Sequence, residues 1–442
     1  MNISQALRYT PPSTIALVGS GGKTTLLFQL ARELAPPVMT AATAHLHTDQ
    51  VKLADAHWKG AGPDELAGLE AKLQGVMLVT GPVKEDRTRG LDKDTIGWLH
   101  QICRKHALPL LIEADGSRQH PLKAPAEHEP PIPDFIEQVV VVAGMSGIGK
   151  PLTGNTVHNL GLFSLLSKLA PGDIITPDAL ARVLIHAAGG MKNIPSAARR
   201  VALLNQADTS DLQSQGQAMA DRLLTGYHSV VIASLQQFQI HSVYEPTAGI
   251  ILAAGQASRF GRPKQLLDYN GQPFVRNTAL AALGSGLSPV VVVSGAYADA
   301  VEAAVQDLAV IVVHNEQWQS GQSSSIRVGL QHLPPETGAA IFLLADQPQV
   351  GTPVLRALIE RHARDLVPIV APLVNGQRAN PVLFDRTTFP QLNSLSGDVG
   401  GRAIFSKVPV TYLPWHDKGL LIDIDTPEDL AKLTGGGTNN GI

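Results

Sequence analysis

Short runs of aliphatic and β-branched residues recur along the chain and lack a polar face. They begin at Thr14-Ile15-Ala16-Leu17-Val18 and continue as PLLIEA (109–114), QVVVVAG (138–144), RVALLN (200–205) and SVVIAS (229–234). The series resumes with GIILAAG (249–255), PVVVVSG (289–295), AVIVVHN (309–315) and AAIFLLAD (339–346). A strand with one wet face alternates apolar and polar residues, whereas a strand covered on both faces reads as an unbroken apolar run. Helical spacing fills the intervals, so the pattern predicts an α/β protein with parallel sheets covered by helices on both sides.

The alternation lapses once. LQQFQIHSVYEPTA (235–248) is polar and contains a proline before a fresh strand opens at Gly249. This predicts a first domain over 1–235, a linker over 236–246 and a second domain over 247–433, in keeping with a length of 442 residues and roughly 150 per domain. The tail TGGGTNNGI (434–442) has one apolar residue, at its end, and is expected to be disordered.

Charge narrows the choice of partner. With 35 basic and 38 acidic residues there is no electrostatic footprint for nucleic acid or an anionic membrane, so any phosphate binding must be local. No apolar run approaches the ~18 residues of a membrane span. Cys103 is the only cysteine, and MNISQALRYT lacks the charged and apolar regions of a secretory leader. A cytoplasmic protein is expected.

Two glycine loops carry the candidate chemistry. The first, GSGGKTT (19–25), follows a strand and precedes a helix expected from Thr24 to about Leu34, stopped by Pro36-Pro37. A glycine turn there would aim backbone N–H groups and a helix N-terminus at one point, which favours a phosphate. Lys23 would reach the outer phosphates and the Thr24 hydroxyl could ligate Mg²⁺. The full P-loop pattern needs a further glycine where Leu17 stands, so the loop is a shortened variant, and a purely structural glycine turn is the alternative. Glu113 and Asp115 end an apolar strand, where carboxylates can hold Mg²⁺ or orient a water, or can simply cap the next turn. LLNQAD (203–208) resembles the guanine-reading signal of GTP-binding proteins but has Gln206 where lysine is expected, which leaves the base open. His45 and His47, with no third ligand in view, read as solvated loop histidines.

The second loop is LAAGQASRFGRPKQLL (252–267). Ala253, Ala254 and Gly255 leave space for a base and ribose against the backbone, while Arg259 and Lys264 place positive charge where a departing pyrophosphate gathers negative charge. A divalent ion would be needed to neutralise phosphate oxygens. Asp346, ending FLLADQP, and Asp425, in LLIDIDTPEDL, are its expected ligands, although either aspartate alone is more often a cap or turn residue.

Two resemblances follow from these motifs. VGSGGKTT, IEADGSRQHPLKAPAEHEP, GKPLTGNTVHN and LLNQAD, in that order over about residues 1–235, resemble the accessory proteins of selenium-dependent molybdenum hydroxylases, a nucleotide-binding family. The resemblance implies that Gly21, Gly22, Lys23, Thr24, Thr25, Glu113 and Asp115 form a nucleotide site taking ATP or GTP, with the run Arg118 to Glu129 beside it. It also implies a molybdenum hydroxylase apoenzyme as partner, and the selenium link rests on it alone. Over about residues 247–433, LAAGQASRFGRPK, HNEQWQSGQSSSIRVGL, LLADQPQV, GQRANPVLF, LSGDVGGRAIF and DIDTPEDL are similar to the molybdenum cofactor cytidylyltransferases. This implies that Leu252, Ala254, Gly255, Arg259 and Lys264 hold the nucleotide, that Gln322, Ser323 and Ser324 lie near base and ribose, and that Asp346 and Asp425 bind Mg²⁺. Arg378, Asn380, Gly397, Asp398 and Arg402 are implied on the pterin side.

The related guanylyltransferases begin LAGG, and a methyl group at Ala254 favours cytosine, an effect worth only about 1–3 kcal/mol. The expected activity is therefore transfer of a cytidylyl group from CTP to molybdopterin, with release of pyrophosphate, in a chain fused to a nucleotide-binding maturation module. The alternatives are a guanylyl- or sugar-phosphate nucleotidyltransferase on the same fold, and a nucleotide-gated carrier that releases no pyrophosphate.

Overall fold

The computed structural model describes residues 1–256, 263–422, 424 and 429. Arg259, Asp425 and the tail 434–442 lie outside the described residues. The chain divides into two compact units, Met1–Tyr244 and Glu245–Ile442.

In the first unit nine strands form one sheet: β1 (Thr14–Gly19), β2 (Val38–Ala42), β3 (Ala56–Lys59), β4 (Val76–Thr80), β5 (Leu110–Glu113), β6 (Gln138–Gly144), β7 (Arg199–Asn205), β8 (Ser229–Ser234) and β9 (Gln239–Tyr244). Their order is β9-β8-β7-β6-β1-β5-β2-β4-β3. All neighbours are parallel except β8 and β9. β1 lies between β5 and β6, so the direction of winding reverses there and a crevice opens beyond its carboxyl end. The helix α1 (Lys23–Glu33) follows at that point and buries Leu26, Leu27, Leu30 and Ala31 against the sheet side.

The stretch expected to be a linker behaves otherwise. Gln239–Tyr244 is the antiparallel edge strand β9, and the division of the chain falls after Tyr244. An edge strand with one neighbour and mixed burial carries polar residues that a central strand excludes, which is why QIHSVY lacks the apolar signature.

The second unit holds β10 (Thr247–Ala253), β11 (Val290–Ser294), β12 (Ile311–His314), β13 (Ala339–Leu344), β14 (Ile369–Val374), β15 (Gln377–Arg378), β16 (Val382–Asp385) and β17 (Val410–Trp415). The order is β12-β11-β10-β13-β16-β14-β15, with β17 alongside β14. β16 runs antiparallel to both β13 and β14, so this sheet is mixed rather than wholly parallel. Ile251, Val292 and Ile341 pack in a core on one face, and Ile250, Val291, Val293 and Phe342 in another on the opposite face. Both faces are covered, which accounts for the unbroken apolar runs. Among the described residues no helix is long and apolar enough to cross a membrane.

Candidate functional site

The first unit builds its site where β1 ends. Gly21 and Gly22 have φ of 84° and 133°, values that L side chains rarely adopt. Space forbids a side chain as well: a Cβ on Gly21 would lie 2.5 Å from the Gly144 nitrogen, and one on Gly22 would lie 2.2 Å from Asn205 Nδ2. The turn delivers Lys23 at the start of α1, buried, with Nζ donating to the Gly19 carbonyl at 2.6 Å and lying 3.3 Å from Asp115 Oδ1 and 3.9 Å from Glu113 Oε1. The Thr24 hydroxyl donates to Glu113 Oε2 at 2.8 Å.

These charges belong to a longer buried chain. Asp115 Oδ2 accepts the Gly19 N–H at 3.1 Å and pairs with Lys123 Nζ at 2.8 Å, and Lys123 pairs in turn with Glu129 at 2.8 Å. Burial pushes the Glu113 carboxyl above the usual carboxylate range, and the neighbouring Lys23 and Thr24 offset only part of that. Glu129 is affected in the opposite sense: burial raises it, but hydrogen bonds from Lys123 and the Ala126 N–H bring it below the usual range.

Gly21, Gly22, Lys23, Thr24, Thr25, Glu113 and Asp115 all line one cleft of about 650 Å³. Asp115 Oδ1 is buried and accepts no hydrogen bond. With the Thr24 hydroxyl and the Glu113 carboxylate nearby, it presents the hard oxygen donors that suit Mg²⁺. No group of three or more His, Cys, Asp or Glu placed to hold a metal occurs among the described residues. Mg²⁺ characteristically takes one or two carboxylates and completes its shell with phosphate and water, so this donor set fits it.

Asn205 has a role that sequence reading missed. Its Nδ2 donates to the Gly21 carbonyl at 2.6 Å and its Oδ1 accepts the Leu235 N–H at 3.0 Å, so it braces the glycine loop. Gln206 accepts from the Ser146 hydroxyl at 2.5 Å and also lines the cleft. His45 hydrogen-bonds the Thr88 carbonyl at 2.7 Å, and His47 accepts the Asp49 N–H at 3.2 Å as a helix cap.

The second unit has its own cleft, about 770 Å³, at the carboxyl ends of β10 and β13. Leu252, Ala253, Ala254, Gly255, Lys264, Gln322, Asp346 and Asp398 line it. Gln265, which the sequence did not single out, is buried and donates to the Ala253 carbonyl at 3.3 Å and the Gly255 carbonyl at 3.2 Å, fixing the small-residue loop. Asp398 Oδ1 accepts the Gln322 N–H at 3.1 Å and so caps the helix α2 (Gln322–Gln331). Gly321, at φ 104°, admits this contact, because a Cβ there would lie 2.5 Å from the Asp398 nitrogen.

Ser323 and Ser324 do not face the cleft. Both are buried: Ser323 donates to the Gly397 carbonyl at 2.7 Å, and Ser324 to the Gly321 carbonyl at 2.8 Å. They hold the loops that shape the site, while the next serine, Ser325, lines it. Arg378, Asn380, Gly397 and Arg402 lie off the cleft lining. The Arg378 guanidinium sits 5.6 Å from the centre of the Tyr412 ring and 5.9 Å from that of Phe405, and Arg402 donates to Asn380 Oδ1 at 3.2 Å. Arg259 and Asp425 lie outside the described residues.

A mixed α/β chain of this kind, with a strand-end cleft of small residues, a lysine and an aspartate in its second unit, defines a nucleotidyltransferase-like protein with an additional α/β unit ahead of it. The family models agree in both halves: residues 15–161 match the YqeC protein, and residues 249–412 match the MobA-like NTP transferase domain. By its first unit the chain belongs to the YqeC family, and its second unit is a MobA-like NTP transferase domain. It is 33% identical over 207 residues to the uncharacterized protein YqeC of Escherichia coli (strain K12), covering 44% of this chain and 76% of that protein. It is 32% identical over 195 residues to nicotine blue oxidoreductase of Paenarthrobacter nicotinovorans, covering 42% of this chain and 95% of that protein. A probable molybdenum cofactor guanylyltransferase of Bacillus cereus (strain ATCC 10987 / NRS 248) is 31% identical over 138 residues, covering 31% of this chain and 66% of that protein.

Proposed function

We propose that the second unit transfers a cytidylyl group from CTP to the terminal phosphate of molybdenum-loaded molybdopterin, releasing pyrophosphate. The observation that carries this reading is the joint lining of one cleft by the small-residue loop Leu252–Gly255, Lys264 and Asp346. The likeness to a molybdenum cofactor guanylyltransferase supports a molybdopterin acceptor. LAAG in place of LAGG, with the Ala254 methyl at the loop, supports CTP over GTP.

An acceptor phosphate oxygen bonds to the α-phosphorus as the bond to the β-phosphate oxygen breaks, and pyrophosphate leaves with that electron pair. Lys264 offsets the repulsion between the two anions, and Arg259 is assigned the same part. No side-chain nucleophile is required. Asp346, with Asp425, is the proposed holder of Mg²⁺, which would supply charge neutralisation at the phosphate oxygens. Arg378, Asn380 and Arg402 are assigned to the acceptor side together with Gly397 and Asp398. The first unit is proposed to bind ATP or GTP at Gly21–Thr25 and to act in maturing a molybdenum hydroxylase apoenzyme.

A second reading, redox chemistry in the same cleft, is favoured by the match to an oxidoreductase over nearly that protein's whole length. Mass spectrometry of the pterin after incubation of the full chain with Mg²⁺, molybdenum-loaded molybdopterin and each triphosphate separates the readings. The expected product carries one added CMP and forms with stoichiometric pyrophosphate. Preference for GTP would overturn the choice of base, and absence of pyrophosphate with every triphosphate would overturn nucleotidyl transfer.

A further inference from the structure

The first unit's cleft has basic side chains that the glycine loop does not account for. Arg118, His128 and His158 all line it, and among the described residues none of their side chains makes a hydrogen bond or ion pair. Arg118 and the next residue, Gln119, both adopt left-handed backbone, with φ of 48° and 63°. Two successive non-glycine residues in that region are costly and persist only where surrounding contacts enforce them. Those contacts are present: His120 hydrogen-bonds the Ser117 carbonyl at 3.0 Å through Nδ1 and the Gly154 carbonyl at 2.7 Å through Nε2, and its ring centre lies 5.8 Å from that of His158. Lys123, only two residues after Pro121, anchors the same segment through its buried pairs with Asp115 and Glu129. Lys23 is already engaged at the glycine loop by the Gly19 carbonyl and Asp115.

We propose that Arg118, His128 and His158 form an oxyanion subsite in this cleft for a second, phosphate- or carboxylate-bearing small molecule distinct from the nucleotide. Arg118 stands on the pinned, strained loop, His128 follows ten residues later, and His158 ends a short strand paired with Leu122 and Lys123, so basic groups from separate stretches line one cleft, where an anion would pair with them. Burial first, then the nearby Lys123, Arg118 and His120, hold the His158 imidazole below the ordinary range, with Glu129 acting the other way, so His158 offers the anion a neutral N–H donor while Arg118 supplies the charge. The first unit is then a two-substrate site and not a nucleotide-binding switch alone.

The proposal rests on the reading of Gly21–Thr25 as a nucleotide site, and the test separates the two. The full chain is saturated with Mg²⁺ and a non-hydrolysable triphosphate analogue, and inorganic phosphate or, in a parallel arm, acetate is titrated in by calorimetry. One saturable anion site is expected, stronger in the arm that matches the substrate's own group. Arg118→Gln and His158→Gln should each weaken it by about tenfold or more, the loss of a charge-assisted contact, with analogue affinity and melting temperature unchanged. No saturable site in either arm, or unchanged anion affinity in both variants, overturns the subsite. Failure of the analogue to bind the wild type overturns the nucleotide reading alone, and the same titration of the ligand-free chain and its two variants then decides the subsite.

Discussion

Asn205 Nδ2 donates to the Gly21 carbonyl at 2.6 Å, and the same side chain accepts the Leu235 N–H. One amide at the end of β7 therefore sets the shape of the glycine loop at the end of β1. Asn205→Ala should leave two buried backbone groups without partners and cost about 1–3 kcal/mol each at most, read by urea unfolding, with weaker nucleotide binding at the loop. Unchanged stability and binding would mean that the loop holds its shape without the brace.

Gly22→Ala should abolish nucleotide binding to the first unit, because the new methyl group would meet Asn205 Nδ2 at 2.2 Å and φ is 133°. Binding of a fluorescent triphosphate analogue checks this, and affinity equal to the wild type would refute the assignment of the loop.

In the second unit, Lys264→Ala and Asp346→Ala should each lower pyrophosphate release by at least about 100-fold, the scale of removing one electrostatic contact to a transition state, while the melting temperature stays near that of the wild type. Ser323→Ala provides the contrast. Its hydroxyl holds the Gly397 carbonyl and does not face the cleft, so stability should fall by about 1 kcal/mol with KM for the triphosphate little changed. A large rise in KM with unaltered stability would put Ser323 back in the site.

The pH dependence of stability tests the buried charge chain. Because burial raises Glu113 in the folded state, its contribution to stability is present below the ordinary carboxylate value and is lost as pH rises through the raised folded value. Glu113→Gln keeps an acceptor for Thr24 and removes that titration. Melting temperatures measured from about pH 4 to about pH 8 should drop less, or rise more, with pH in the variant than in the wild type. A constant difference between the two across that range would contradict the assignment.

Cys103 is buried, and its thiol is pushed up to about 12 by that burial. Iodoacetamide at about pH 8 should leave it unmodified in the native protein and alkylate it in denaturant. Rapid native alkylation would show that the helix carrying it opens readily.

What the chain determined by itself is the α/β class, the central strands and the two glycine loops. Ile15 to Val18 and Ile250 to Leu252 sit in strands flanked on both faces, so burial leaves a continuous apolar trace in the sequence. The glycines at 21 and 22 are legible because both have a positive φ and a Cβ on either would collide, with backbone at Gly21 and with the Asn205 side chain at Gly22. Edge position erased the same trace from Gln239–Tyr244, and the antiparallel turn of β16 has no local signature. Which residues meet was decided only by the tertiary structure. Asn205 reaches Gly21 across 184 positions of sequence, and Asp398 caps the helix at Gln322 across 76. Ser323 and Ser324 belong to a motif that the resemblance places near base and ribose, yet both turn inward to the Gly397 and Gly321 carbonyls while Ser325 lines the cleft. Such contacts depend on how strands order within a sheet and how a helix end is seated, and those are fixed by packing between segments far apart in the chain.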